Sequence, residues 1–352
     1  MAPQPVFLEH PSSLEHDTGE HPECAARLRG LDAELQRRSH FGYRRVSSPA
    51  VERAVLELVH PASHIERVES LAAAGGGPIG AVDEGTIVSP RSYVAALHAA
   101  GGAVELVRLL LEGGAGQVGF SAHRPPGHHA TATEAMGFCL FNNVAVAARH
   151  ALENLGLDRV MVFDWDVHHG NGTNDIFWET DQVLFVSIHQ WPLYPGTGRA
   201  CEIGAGGGEG YTVNLPVAPG TGDDAYVSLV RDVVVPLGRA YAPQLILVSA
   251  GFDPHIEDPL AQCACSDAAF PAMATLIRDL AAELEVPLGC VLEGGYAIDA
   301  LARCAAAVMQ ALLPGVGAPA AGAGHPLARD ALLRLRPYWP DLPGPGPAPN
   351  TF

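Results

Sequence analysis

Val162-Phe-Asp164-Trp-Asp166-Val-His168-His169-Gly-Asn171-Gly172 is the stretch on which the fold turns. A short apolar, β-branched run, Arg159–Asp164, breaks off into two carboxylates and two imidazoles. The same grammar recurs along the chain. Gln117–Ser121 leads into HRPPGHH, Val183–His189 ends in SIHQ, Leu245–Asp253 yields GFDPH, and Leu288–Glu293 opens into EGGY. Between these runs lie Ala- and Leu-rich stretches with helical spacing, at Asn142–Asn154, Ala225–Ala240 and Asp267–Leu284. Strands alternating with helices predict an α/β fold whose parallel sheet is covered on both faces. In open sheets of this kind ligands bind beyond the carboxyl ends of the strands. The polar clusters fall at those ends, so they are expected to converge on one site.

The chain has 352 residues, 48% of them hydrophobic, with no solenoid-like repeat. That suits one large domain over residues 1–315. Residues 316–352 are rich in Gly, Pro and Ala. They read as a loosely packed tail with a short helix near Leu327–Arg336, disordered towards Phe352. The N-terminal MAPQPVFLEHPSSLEHDTGE lacks the apolar core of a signal peptide. Gly, Pro or charge interrupts each apolar run, so no bilayer crossing is expected and a soluble, cytoplasmic protein is. Lys plus Arg number 21 and Asp plus Glu 39, a net charge of -18. This balance repels nucleic acid phosphate, and it suits cationic substrates, although most of it serves as a solubilising surface. The seven Cys include no CxxC pair and read as free thiols of a reducing compartment.

Asp166 and His168 stand two apart just past a strand, so both side chains project from the same side of the extended chain. A carboxylate and an imidazole so arranged can chelate one divalent ion, and Asp253 can close the set. Two oxygens and one nitrogen leave a position for water, as a catalytic zinc site requires. Any one of these Asp residues alone is more often a helix cap. Two such Asp and a His together at strand ends, with His123, His128, His129 and His169 nearby, favour a metal.

These motifs resemble those of the histone deacetylase family, nearer its class II and bacterial histone deacetylase-like amidohydrolase branch. The resemblance is carried by HPE…RL at His21–Leu28, RPPGHHA at Arg124–Ala130, GFCLFNN at Gly137–Asn143 and DWDVHHGNGT at Asp164–Thr173. It continues through PGTG at Pro195–Gly198, GFD…DPL at Gly251–Leu260 and EGGY at Glu293–Tyr296. It implies the arginase–deacetylase fold, with a central eight-stranded parallel sheet, and one zinc held by Asp166, His168 and Asp253. Arginases share the fold but hold two manganese ions through further Asp residues. Here those positions are Gly170 and His255, which disfavours ureohydrolase chemistry. Iron(II) or cobalt could occupy the same ligands.

The resemblance pairs His128 with Asp164 and His129 with Asn171. An Asp partner stabilises imidazolium more than a neutral amide does, so the two pKa values should separate. His129 is then the general base and later general acid, and His128 an electrostatic partner. Tyr296 is implied as the donor to the substrate carbonyl. For the substrate tunnel the resemblance implies Phe138 and Tyr194 as aromatic walls, Leu260 beside the acyl group, and the Gly137 carbonyl facing the substrate amide. Glu84 is implied at the rim, where a solvent-facing loop charge is an equal reading.

Structural potassium is also implied. Its inner site would use Asp164, Asp166, His168, Ser187 and Ile188, and its outer site Phe177, Thr180, Val183 and Tyr211. The expected activity is hydrolysis of an acyl-amide on lysine of a peptide or protein, open to hydroxamate-type inhibitors. Rival readings are an acetylpolyamine amidohydrolase, against which Leu260 stands, and a non-catalytic acyl-lysine binder, which the intact ligand and catalytic positions disfavour. A homo-oligomer is compatible with the sequence.

Overall fold

The computed structural model describes residues 3–80, 85–315, 317 and 324–344. Its centre is a parallel eight-stranded sheet. In chain order the strands are β1 (Val6–Glu9), β2 (Arg44–Ser47), β3 (Val118–Ser121), β4 (Val160–Asp164), β5 (Val183–Gln190), β6 (Thr212–Val217), β7 (Leu245–Ala250) and β8 (Leu288–Leu292). Across the sheet they run β2-β1-β3-β8-β7-β4-β5-β6. The two-residue periodicity of strands divides the side chains between two cores. From β4, Met161 and Phe163 enter one, with Val186, Val248 and Leu292. Val160 and Val162 enter the other, with Phe185, Leu247 and Val291. Helices α1 (Ala26–Arg37), α5 (Ala269–Glu283) and α6 (Ile298–Ala311) cover the first face. Helices α2 (Ser92–Gly113) and α3 (Asn143–Leu155) cover the second, while the short α4 (Asn171–Ile176) follows the HHGNG loop.

The expected strands appear, four of them trimmed by up to three residues and Val183–His189 extended by one; Leu245–Asp253, for instance, stops pairing at Ala250. Three further strands carry weak sequence signals. β2 is a solvent-facing edge strand of sequence RRVS, β6 is the opposite edge and contains Pro216, and β1 is only four residues long. Edge strands tolerate charge and proline, which interrupts the continuous apolar run that marks interior strands.

Three expectations need correction. The helix expected over Ala225–Ala240 is α-helical at Asp223–Leu229 and Val235–Tyr241, with a wide π turn at Val230–Val234 between. Pro236 has no N–H to donate four residues back, and the π turn accommodates that gap. Second, α2 is, by length and composition alone, apolar enough to cross a membrane. Gly101 and Gly102 do not interrupt it. They let it touch its neighbours, since a Cβ on Gly101 would lie 2.1 Å from the Pro49 carbonyl oxygen and one on Gly102 2.3 Å from the His123 ring. Most of α2 is buried against the body, as in a core helix. Third, the tail helix α7 (Pro326–Leu335) is packed down, with Ala328, Ala331, Leu332 and Leu335 joining the first core. Residues 345–352 of the tail and Glu84 lie outside the described residues.

One buried ion cluster ties the N-terminal segment to the carboxyl end of the sheet. The fully buried Glu23 carboxylate accepts from Arg124 Nε (2.5 Å) and Nη2 (2.6 Å) and from Arg27 Nη1 (3.0 Å). Burial pushes the Glu23 carboxyl upward, but the two guanidiniums overcome this and hold it at about 2. A folded pKa below the ordinary 4.5 contributes stability that is complete above that pH and is lost as pH falls towards 2. Glu23→Gln is therefore expected to cost about 3–5 kcal/mol at pH 7, because it strands two buried cations. The gap to wild type should narrow near pH 3. Urea denaturation of both proteins at the two pH values checks this, and an unchanged midpoint at pH 7 contradicts it.

Candidate active site

The carboxyl ends of β3, β8, β7 and β4 are neighbours in the sheet, and their trailing loops meet. Beyond β4 the chain bends so that its own carboxylates satisfy its backbone. Asp164 Oδ1 accepts from Asp166 N (3.0 Å), and Asp166 Oδ1 from His168 N (2.9 Å). Asp253, beyond β7, accepts from Val167 N through Oδ1 (2.9 Å). His168 Nδ1 thereby lies 3.2 Å from Asp166 Oδ1 and 3.1 Å from Asp253 Oδ2. The three donor atoms lie within 4.8 Å of one another. Metal–ligand bonds of about 2.0–2.2 Å at tetrahedral angles set donor atoms about 3.3–3.6 Å apart. The triad is thus already close to the spacing a divalent ion requires. Its charge fits as well. Burial, reinforced by the Asp166 carboxylate, pushes Asp253 up to about 7, the mark of carboxylates crowded without enough positive charge. A dication supplies what is missing. His255 and Asp267 with Cys304 form the other His/Cys/carboxylate group among the described residues. There Arg303 already holds both Asp267 oxygens.

The tandem imidazoles stand beside the triad with ring centroids 4.1 Å apart. His128 Nδ1 donates to Asp164 Oδ2 (2.9 Å), and His129 Nδ1 to Asn171 Oδ1 (2.8 Å). Their electrostatics diverge. Burial opposes charge on His128, yet Asp166 and Asp164 outweigh it and hold this ring well above 6.5. For His129 burial and the neighbouring His128 and His168 act together, keeping it well below 6.5. With Nδ1 engaged by Asn171, the basic lone pair of neutral His129 is on Nε2.

A cavity of about 310 Å³ is lined by Gly85, His129, Gly137, Phe138, His168, Tyr194, Leu260 and Tyr296. The Phe138 ring meets Tyr296 edge-on at 5.8 Å, and Tyr194 meets His129 in the same manner at 5.2 Å. Gly137 can have no side chain, because a Cβ there would lie 2.2 Å from the His129 ring. Phe138 adopts φ +69°, and its N–H donates to Thr86 Oγ1 (3.0 Å).

The residues named for potassium fall in two groups. Ser187 and Ile188 are buried on β5 beside Asp164 of β4. The Phe177 carbonyl accepts from Thr180 N (3.3 Å), and the Tyr211 carbonyl from Phe185 N (2.9 Å) on the strand that Val183 begins.

Several contributors escape a reading by residue type. Glu293 is fully buried and accepts through Oε2 from Gly127 N (2.7 Å) and His128 N (3.1 Å), fixing the double-histidine loop. Arg27 donates to the Gly295 carbonyl (2.6 Å) and lies 5.1 Å from the Tyr296 ring centroid. The spacing of Glu23 and Arg27, one helical turn apart, was the available signal, but it normally denotes a solvent-exposed pair.

An open metal triad, a charged imidazole beside a neutral one, and a narrow aromatic cavity define a metal-dependent amidohydrolase. A model of the histone deacetylase domain matches residues 21–312. The chain is 40% identical over 315 residues to a histone deacetylase-like amidohydrolase of Pseudomonas aeruginosa, covering 87% of this chain and 79% of that one. It is 38% identical over 318 residues to the chloroplastic histone deacetylase 14 of Arabidopsis thaliana, covering 86% and 75%. The crystal structure of the HDA15 HD domain superposes with a TM-score of 0.88 at 34% identity, over 97% of each chain. The chain belongs to the histone deacetylase family.

Two outcomes follow from this geometry. Elemental analysis of unchelated protein should find about one transition metal per chain, the number a single such triad holds, and His168→Ala or Asp253→Asn should lose it. A base must be neutral to act, and His129 protonates only below 6.5. The acid limb of the kcat/KM profile should therefore lie below that pH, and a limb above it would contradict the assignment.

Proposed function

We propose that the protein is a zinc-dependent deacylase acting on Nε-acyl-lysine in peptides or proteins. The observation that carries this reading is the junction of the metal triad, His129 and Tyr296 at one narrow cavity. Zinc held by Asp166, His168 and Asp253 would supply Lewis-acid polarisation of the acyl carbonyl and of the attacking water. His129 Nε2 takes a proton from that water as the C–O bond forms. It later returns a proton to the amine as the C–N bond breaks. His128, held cationic by Asp164 and Asp166, balances the developing negative charge. Burial pushes the Tyr296 phenol well above 10, against the opposing pull of Arg27, so it keeps its proton and donates to the oxyanion.

The cavity's form supports a lysine stem as the group it takes. Phe138 and Tyr194 offer aromatic surface to a methylene chain, and Leu260 supplies an apolar contact with no charge for a distant polyamine ammonium. A structural potassium ion at the β4–β5 carboxyl ends is part of the proposal, since oxygen ligands suit a hard cation.

Tyr296→Phe should fold, retain metal, and lose about 10²–10³ in kcat. Near wild-type turnover would remove Tyr296 from the mechanism. A panel of acyl-lysine peptides beside acetylspermidine and acetylputrescine, with and without a zinc-binding hydroxamate, tests the substrate. Hydroxamate-sensitive hydrolysis of the peptides is expected. Preference for the acetylpolyamines would transfer the assignment to that class.

A further inference from the structure

Tyr296 follows two glycines at the end of a strand, yet an oxyanion donor must hold its position to within a fraction of an ångström. The peptide unit that carries it is gripped from both ends. Its carbonyl, that of Gly295, accepts from Arg27 Nε at 2.6 Å. Its N–H, that of Tyr296, donates to Asp258 Oδ2 at 2.6 Å. The same oxygen accepts from Ala297 N at 3.3 Å, and Asp258 Oδ1 accepts from Leu260 N at 3.0 Å. Asp258 is only 6% exposed. One carboxylate thus binds the backbone of two segments, those following β7 and β8, and the residues it orders, Leu260 and Tyr296, both line the cavity.

We propose that Asp258 is a positioning residue for the reaction, working with Arg27 to lock the Gly295–Tyr296 peptide plane so that the phenol and the Leu260 wall face the substrate together. A guanidinium on the carbonyl and a carboxylate on the N–H both align with the peptide dipole, so turning the plane breaks two charge-assisted bonds at once. Neither side chain touches the reacting atoms. The kinetic part of the inference rests on Tyr296 being the oxyanion donor, whereas the clamp itself does not.

Asp258→Ala removes all three acceptances, while Asp258→Asn keeps one oxygen. With an acetyl-lysine peptide, Asp258→Ala should lower kcat about 10–10²-fold with KM nearly unchanged, and Asp258→Asn should recover part of the loss. In a Tyr296→Phe background, adding Asp258→Ala should lower kcat less than about twofold further, because the phenol it positions is already gone and the remaining Leu260 wall donates nothing to the oxyanion. A full additional loss in that background would overturn the proposal. Hydrogen–deuterium exchange on the full chain gives a readout independent of turnover. The Tyr296 and Ala297 amides should be protected in wild type and exchange faster in Asp258→Asn. Exchange at free-loop rates in wild type would overturn the clamp even if no variant folds. Should wild type hydrolyse none of the acyl substrates, the functional reading fails, and the exchange measurement still decides the clamp.

Discussion

The site depends on confining carboxylates in a region nearly free of water. Glu23, Asp164, Asp166, Asp253 and Glu293 are all fully buried at the carboxyl end of the sheet. An unpaired buried charge costs several kcal/mol, so each of these groups dictates what surrounds it. Glu23 collects Arg27 and Arg124, Asp164 collects His128, and Glu293 collects the amides that open the double-histidine loop. In the triad of Asp166, His168 and Asp253 two buried carboxylates converge on a single imidazole, the arrangement that suits a metal. Solving the electrostatics of burial and building the catalytic apparatus are here the same task.

That economy explains which parts were legible in the sequence. Five of the six interior strands announced themselves because a sheet covered on both faces requires unbroken apolar runs, and the polar clusters at their ends marked the ligands; β1, only four residues long, did not. Asp166, His168 and Asp253 could be read from residue type and position. The pairing of His128 with Asp164 and of His129 with Asn171 needed the family resemblance, because nothing in residue spacing links positions so far apart. The edges of the sheet stayed hidden, since RRVS is solvent-facing and charged and TVNLPV, though mostly buried, carries the Asn and Pro that an edge tolerates. Arg27, Glu293 and Asp258 also stayed hidden. Glu293 and Asp258 act mainly through bonds to backbone groups, which have no signature in sequence, and Arg27 also pairs with Glu23 at a spacing that normally denotes an exposed pair. Glu84 lies outside the described residues.

The two imidazoles show how differently a protein can hold two neighbouring rings. They are adjacent in sequence, and both are deeply buried. Their states diverge because Asp166 and Asp164 outweigh burial at His128, whereas burial and the neighbouring His128 and His168 act together on His129. Glu293, by holding the Gly127 and His128 amides, keeps each ring opposite its own partner. Two imidazoles with opposite proton preferences can therefore share one loop.

The strand order has a consequence for how the molecule comes into being. β8 is made last of the eight, yet it sits between β3 and β7 and pairs with both. Until Leu288–Leu292 emerges from the ribosome, the nascent polypeptide can assemble only two half-sheets, each with an open inner margin of unsatisfied amides and carbonyls. Insertion of the keystone segment closes both margins at once and delivers the EGGY turn to the waiting ligands. Cooperative assembly of the sheet is thus postponed until this last strand is made, and the exposed margins are where a chaperone, or an errant neighbouring chain, would bind in the interval.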